Sequence, residues 1–254
     1  MALWTPAEIT TALWLDASDS STITLNGSTV SQWADKSGNN RHASQPTATK
    51  QPTLTAAGLG DLDALTFDGT SGSMVLSFSV SASDYYILAA LQPAVTTKTG
   101  GMYLLDVQTG RLVFAPIQSV GSTVGVYANT TWSGSTAGTT ASQLLGWQLD
   151  YVAGSNGSKI YRNGSVLNSL SYTARMAIGD AIRIGSVYDD GASFFSGLIG
   201  EVIMISAAVT TADRQLLEGY LAWKWGLESS LPADHPYKSA APTLHKVSGT
   251  VTVN

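Results

Sequence analysis

The chain reads as an all-β protein, an antiparallel β-sandwich with one C-terminal helix, and three observations carry that reading. Short runs rich in Val, Ile, Leu and aromatic residues recur along its 254 residues. Each run is bounded by Gly, Ser, Asn or Asp clusters, which is the signature of antiparallel strands and turns. Only one segment, after Val209, carries a convincing helical period. A hydrophobic share of 44% supplies a substantial core, and sandwiches of this length commonly form one domain.

In chain order the expected strands are Leu13–Asp16, Met74–Val80, Tyr85–Leu91, Met102–Val107, Leu112–Ile117 and Thr123–Tyr127. They continue with Leu144–Tyr151, Lys159–Arg162, Ser165–Leu170, Ala181–Ile184 and Leu198–Ser206. In Met74–Val80 the apolar Val75, Phe78 and Val80 mix with Ser77 and Ser79, as on a half-buried strand. Ile87–Leu91 and Val202–Ile205 are apolar throughout and are expected to be buried on both faces. Between Lys159–Arg162 and Ser165–Leu170 stands Asn163-Gly164, the pair best suited to positive φ at both centres of a type I′ turn, so a hairpin is expected there. Gly134–Thr140 has no apolar period and reads as an exposed loop.

The helix starts at a Thr210 cap, with Asp213 favouring its first turn and Gly226 ending it. Leu217, Leu221 and Trp225 share one stripe, with Leu216, Tyr220 and Trp223 alongside. Gly219 costs roughly 1 kcal/mol against Ala inside a helix, which predicts close contact with a neighbouring backbone. Pro232 and Pro236 make a rigid exit. The sandwich is expected over residues 1–242, and the alternating tail 243–254 is either a lone strand or the start of a further domain.

Charged residues make up only 12%, about half the usual share, so Ser, Thr, Asn, Gln and Gly must cover the surface. That neutral, hydrogen-bonding exterior suits proteins that face glycans or pack in particles. A net charge of −5 gives no footprint for nucleic acid, and no basic cluster addresses an anionic membrane. With no cysteine, disulfide and thiol chemistry are excluded. The opening MALWTPAEIT lacks the pattern of a secretory signal, and no stretch is long enough to span a bilayer.

Three stretches resemble the concanavalin A-like sandwiches of the LamG-like jelly-roll group. The first is Leu13–Gln45 with QPTL at Gln51–Leu54 and ALTFDG at Ala64–Gly69. The second, KIYRNGSVL at Lys159–Leu167, is similar to the group's Tyr-x-Asn-Gly hairpin. The third runs from Ile182–Ser186 through Phe194–Ser206 into the helical stretch Glu218–Tyr237. The resemblance implies a jelly-roll sandwich biased toward carbohydrate or surface contact. Its terminal segments look most like those of bacteriophage virion proteins: tail, fibre or head-decoration components. An extracellular-looking surface without a secretory signal points the same way, to a virion protein made in the host cytoplasm and released by lysis. The expectation is a non-catalytic component that displays its sandwich to bacterial surface polysaccharide or braces neighbouring virion subunits. A homo-oligomer in the particle is expected. The rivals are a secreted bacterial carbohydrate-binding module and a divergent glycoside hydrolase.

A hydrolase would make specific demands on the residues. Some jelly-roll relatives hydrolyse glycans with an alternating Glu-x-Asp-x-Glu strand, and cleavage needs two carboxyls roughly 5–9.5 Å apart. The four Glu here, Glu8, Glu201, Glu218 and Glu228, form no such alternation, and Glu201, which the resemblance places at a strand start, is read as structural. No Gly-x-Ser-x-Gly elbow occurs. His235, between Pro232 and Pro236, is expected to fix the exit turn, and His42 to sit on a turn. Spacing for zinc is missing. Asp189-Asp190-Gly191 is either a solvated turn or a set of oxygen ligands for calcium. No cofactor and no metal are assigned. Asp16, Asp19, Asp35 and Asn39 read as loop hydrogen-bonders. For sugar stacking the candidates are Tyr127, Asn129 and Trp132, with Tyr188 and Asp189 as a second patch; packing is the competing role. Trp14, Trp33, Trp147, Trp223 and Trp225 are assigned to packing.

Overall fold

A computed structural model describes residues 2–80, 82, 84–109, 112–118, 121–128, 131–151, 157–170, 179–187, 193–247 and 250–253. Among the described residues the fold is all-β with one α-helix of 14 residues, and every strand pairing is antiparallel.

Two layers emerge from the pairings. The first layer runs β16 (Ser165–Leu170), β15 (Ser158–Arg162), β14 (Gln143–Leu149), β9 (Tyr85–Pro93), β18 (Ser196–Ile205). The far edge of β18 takes both β2 (Leu13–Asp16) and β7 (Leu62–Asp68), and β7 pairs with β6 (Thr53–Leu59). The second layer runs β13 (Thr131–Ser133), β12 (Gly125–Ala128), β11 (Leu112–Ala115), β10 (Leu105–Thr109), β17 (Gly179–Ile184). It continues through β8 (Met74–Leu76), β5 (Ala43–Ser44), β4 (Thr29–Trp33) and β3 (Ile23–Asn26). The layers join at Thr29–Thr53, between β4 and β6. A separate three-stranded sheet pairs β1 (Ala2–Leu3) with β19 (Thr243–Val247) and β19 with β20 (Thr250–Val253). The tail is therefore a hairpin tied to the N-terminal strand, a partner that alternation within the tail could not announce.

Alternation decides which side chains meet. Tyr85, Ile87, Ala89 and Leu91 point into the core between the layers, whereas Tyr86, Leu88 and Ala90 point outward beneath the helix. Both faces of β9 are thus buried, which is why the strand reads as an unbroken apolar run. Trp147 crosses the core edge-on to Phe114, 5.8 Å between ring centres, and its indole N–H donates to the Gly125 carbonyl at 3.0 Å. Asn163 and Gly164 have φ of 50° and 80°, the pair of positive values a type I′ turn requires.

The helix α1 (Thr211–Lys224) is capped by the Thr210 hydroxyl, which accepts the Asp213 N–H at 3.1 Å. Leu217, Leu221 and Trp225 are buried against the outer face of the first layer, and Gly226 leaves the helix at φ 66°. Gly219 does mark a close approach, but to a side chain rather than a backbone: a Cβ there would lie 2.6 Å from Tyr237 Cβ. Trp223 departs from the packing role, being 37% exposed. Gly134–Thr140 is less free than an exposed loop. Val124 N–H donates to Thr136 O at 2.9 Å, and Ser135 bonds Asn168 of β16 at 2.7 Å.

Candidate functional site

The aromatic pair expected for sugar stacking is brought together. Tyr127 on β12 and Trp132 on β13 are directly opposed in the antiparallel register, 5.3 Å between ring centres at 61°. Tyr103 adds a third ring, 5.6 Å from Trp132 and tilted by only 30°. The rings rest on Val113, Ala115 and Val187 on the outer face of the second layer, and Tyr127 and Trp132 remain half-buried. Asn129, Tyr188 and Asp189 lie outside the described residues, as does the acidic turn Asp189–Gly191. A shelf with two partly exposed rings, Tyr127 and Trp132, over the buried Tyr103 suits the C–H face of a pyranose. The same cross-strand row continues from Tyr127 through Val113 to Asp106 and Arg183, which stand opposite one another. Tyr103 carried no signal in the sequence; only the fold places its loop under β13.

A second polar surface is a cleft of about 520 Å³ at the ends of β7, β9 and β18, lined by Phe67, Asp68, Gln92, Thr140 and Ser196 among others. Burial alone would raise the Asp68 carboxyl. The backbone N–H groups of Ser71, Gly72 and Thr70 and the Thr70 hydroxyl outweigh it and hold the group well below its usual range. Asp68 is thereby occupied as a turn former.

The carboxylates nearest to a catalytic arrangement are buried behind α1. Glu201, fully buried, receives four donors: Trp14 Nε1–H at 2.6 Å, Tyr220 Oη–H at 3.1 Å, Lys224 Nζ at 2.6 Å and Trp225 Nε1–H at 2.9 Å. Lys224 also meets Asp16 at 2.6 Å; Asp16 meets Lys36 at 2.9 Å, and Lys36 meets Asp19 at 2.7 Å. Five alternating charges thus lead from the interior to the surface. Burial and the Asp16 charge push the Glu201 carboxyl up, against Lys224 and Trp14. For Asp16 burial raises, but Lys224, Ser18 and Lys36 win and lower it. Glu201 lies inside β18, not at its start, because β18 begins at Ser196.

The other internal glutamate, Glu218, takes Arg214 at 2.6 Å, His235 Nε2 at 3.2 Å and Tyr86 Oη at 3.4 Å. His235 also accepts the Tyr237 N–H at 3.2 Å, so it fixes the exit turn as expected, with an additional bond to Glu218. His42 accepts the Asp35 N–H at 3.0 Å, and Asp35 bonds Ser37 and Arg41 N–H in its turn. Glu201, Glu218 and Asp16, at 0%, 0% and 2% exposure, are buried and held by the donors just named. They fasten the helix. Among the described residues no His, Asp or Glu group has the grouping to hold a metal ion.

Comparison with known proteins gives no matching family model and no matching curated protein. Solved structures do match. Domain 4 of AbnA, a GH43 extracellular arabinanase from Geobacillus stearothermophilus solved with arabinotriose, is similar at 14% identity and a TM-score of 0.57, over 80% of this chain and 95% of that one. Trypanosoma rangeli sialidase, as its covalent intermediate with 2,3-difluorosialic acid, is similar at 14% identity and 0.56, over 88% of this chain and 34% of that one. The botulinum neurotoxin serotype G binding domain is similar at 10% identity and 0.54, over 87% of this chain and 51% of that one. The chain therefore spans nearly all of the arabinanase domain, but only a third of the sialidase and half of the toxin fragment. At such identities the likeness establishes shared architecture: this chain has the β-sandwich fold that these domains use.

Proposed function

We propose that this chain is a non-catalytic, lectin-like sandwich of the LamG-like jelly-roll type that contacts glycan as a component of a bacteriophage virion, on its head, tail or fibre. The observation that carries the reading is the ring shelf of Tyr103, Trp132 and Tyr127, left partly open on the outer face of the second layer. A neutral surface, with 12% charged residues, supports it. So do neighbours in fold described with arabinotriose and with a sialic acid derivative. Acids sealed behind α1 support a role without bond cleavage. A shallow shelf binds weakly; many copies on a particle multiply weak binding by ~10²–10⁴. Other virion subunits and bacterial surface polysaccharide are the partners in this reading, with no nucleic acid and no membrane insertion.

The test compares host-cell retention of isolated protein with that of assembled particles, each as wild type and Trp132→Ala. Weak or absent retention of the free protein, strong retention of particles and its loss in Trp132→Ala support the reading. A tight single-site complex of the free protein, or sugar release abolished by carboxylate variants, overturns it. A second reading, a secreted carbohydrate-binding module, is favoured by the span of 95% over one domain of an extracellular arabinanase. Co-purification with particles separates the two.

A further inference from the structure

Lys224, in the last turn of α1, places its amine between two buried carboxyls, Glu201 and Asp16, each at 2.6 Å. Those two acids stand directly opposite one another on β18 and β2, so their side chains leave the sheet on the same face. Aromatic rings wall the group in. Lys224 Nζ lies 5.6 Å from the Tyr220 ring centre and 5.4 Å from that of Trp225, and Trp14 reaches Glu201 from a third side. The structure shows the three side chains in contact and unlinked, an amine against two acids with little water around them.

The two oxygens of Glu201 are held differently. Oε1 accepts Trp14 Nε1–H at 2.6 Å and Tyr220 Oη–H at 3.1 Å, while Oε2 accepts Lys224 Nζ at 2.6 Å and Trp225 Nε1–H at 2.9 Å. Two fixed donors on one oxygen and an amine beside the other are what acyl transfer to that carbon requires. Burial first, and then the Asp16 charge, push the Glu201 carboxyl up, which favours its neutral, attackable form. Burial and Glu201 push the Tyr220 hydroxyl up, so it stays a donor. Other ion pairs lack one of these parts. Lys36 faces Asp16 and Asp19, both lowered and therefore ionised. Arg214, at Glu218, keeps its proton and is no nucleophile.

We propose that Lys224 Nζ and Glu201 Cδ condense into an amide within the folded chain, with Asp16 carrying the proton, so that α1 is covalently tied to β18. The Lys224 ammonium first passes one proton to Glu201 Oε2, leaving a neutral amine beside a neutral acid. The amine lone pair attacks Cδ; the C–N bond forms and the carbonyl electrons move onto Oε1, under Trp14 and Tyr220. Asp16 takes one of the two remaining protons from the nitrogen and gives it to the Oε2 hydroxyl. That oxygen leaves as water with the electrons of its C–O bond, Oε1 becomes a carbonyl again, and Asp16 is restored. Ammonium and carboxylate have become amide and water, with no oxidant and no cofactor. Holding both partners in place supplies an effective concentration of ~10⁵–10⁸ M, which drives a condensation that free groups in water do not complete. The link closes a loop over the 23 positions from Glu201 to Lys224. It depends on neither the ring shelf nor the glycan reading.

The experiment follows the mass of the denatured full chain with time after cell-free synthesis. The proposal expects the chain to become lighter by one water, and protease digestion to release a branched peptide that joins Lys224 to Glu201. Lys224→Arg keeps a cation beside both acids but removes the attacking amine, and it should keep its full mass. Asp16→Asn should slow closure by roughly 10²-fold or more, the usual size of a lost proton carrier. Should neither variant fold, the branched peptide of the wild type decides alone. A wild type that keeps its full mass, water loss that maps to another pair of residues, water loss that persists in Lys224→Arg, or unslowed closure in folded Asp16→Asn each overturn the proposal.

Discussion

The two outer faces of the sandwich come from the same strand alternation and end in opposite states. On the first layer, Tyr86, Leu88 and Ala90 lie under α1, and the seat is fastened by Glu201 and Glu218. On the second, Tyr103, Tyr127 and Trp132 form an apolar shelf with two of its rings half-exposed. Asp16, Asp19, Lys36, Glu201, Arg214, Glu218 and Lys224 serve the helix seat, whereas the row that carries the rings continues through Val113 to Asp106 and Arg183. The difference separates a face closed by the helix from one whose aromatic row is left partly open.

The sharpest way to break this contrast is Glu201→Ala. It strands the Trp14, Trp225 and Tyr220 donors and half of the Lys224 pairing inside the protein. Removing one partner of a buried charged cluster costs about 3–5 kcal/mol, to be read by denaturant unfolding. A loss under about 1 kcal/mol would mean that apolar packing alone holds the helix. Trp132→Ala on the open face is expected to cost about 1–2 kcal/mol, less than the ~3–5 kcal/mol of a fully buried Trp, while removing glycan retention. Equal losses at both positions would erase the distinction between the faces. Gly219→Ala tests the seat in a third way. Helix propensity favours alanine by about 1 kcal/mol, but the new methyl would lie 2.6 Å from Tyr237 Cβ. Overpacking costs roughly 1–3 kcal/mol, so a net loss of up to about 2 kcal/mol is expected, and a stabilised variant would show that the exit segment yields.

Much of this contrast was legible in the sequence. The apolar runs Ile87–Leu91 and Val202–Ile205 announced strands buried on both faces, and Thr210, Asp213 and Gly226 bounded the helix. The stretches that resemble a known group, from Trp14 and Asp16 through Tyr161 and Glu201 to Lys224 and His235, prove to be the helix seat itself. What stayed hidden was pairing between distant segments. The hairpin of β6 and β7 has no strong turn pair, since Gly60-Asp61 reverses the favoured order, and its partner β18 lies more than a hundred residues away. Tyr103 joins the ring shelf only through the fold, and Glu201, which the resemblance placed at a strand start, stands inside β18. Periodicity reports which face a residue takes; it does not report which strand lies opposite.

The smallest expected effect concerns acid. Asp19 is lowered from 3.8 to about 2, chiefly by its bond to Lys36 and then by Ser21, and Asp16 is lowered too. A carboxyl with a folded pKa below its unfolded value stabilises the fold in its ionised form. Its contribution is complete above about 4 and is lost as pH falls toward 2. The contribution of these two carboxylates to the melting temperature should therefore decline between about pH 4 and 2. Asp19→Asn keeps an oxygen for the Ser21 N–H but removes the charge beside Lys36. For so exposed a pair the cost at neutral pH is under about 1 kcal/mol, and the decline should become shallower. The part of that loss due to Asp16 and Asp19 belongs to the helix side, while Asp68 adds its part at its own turn. In acid the indole signals of Trp14 and Trp225 should shift before that of Trp132. The reverse order would place the acid-sensitive contacts on the ring shelf and undo the assignment of the charges to the closed face.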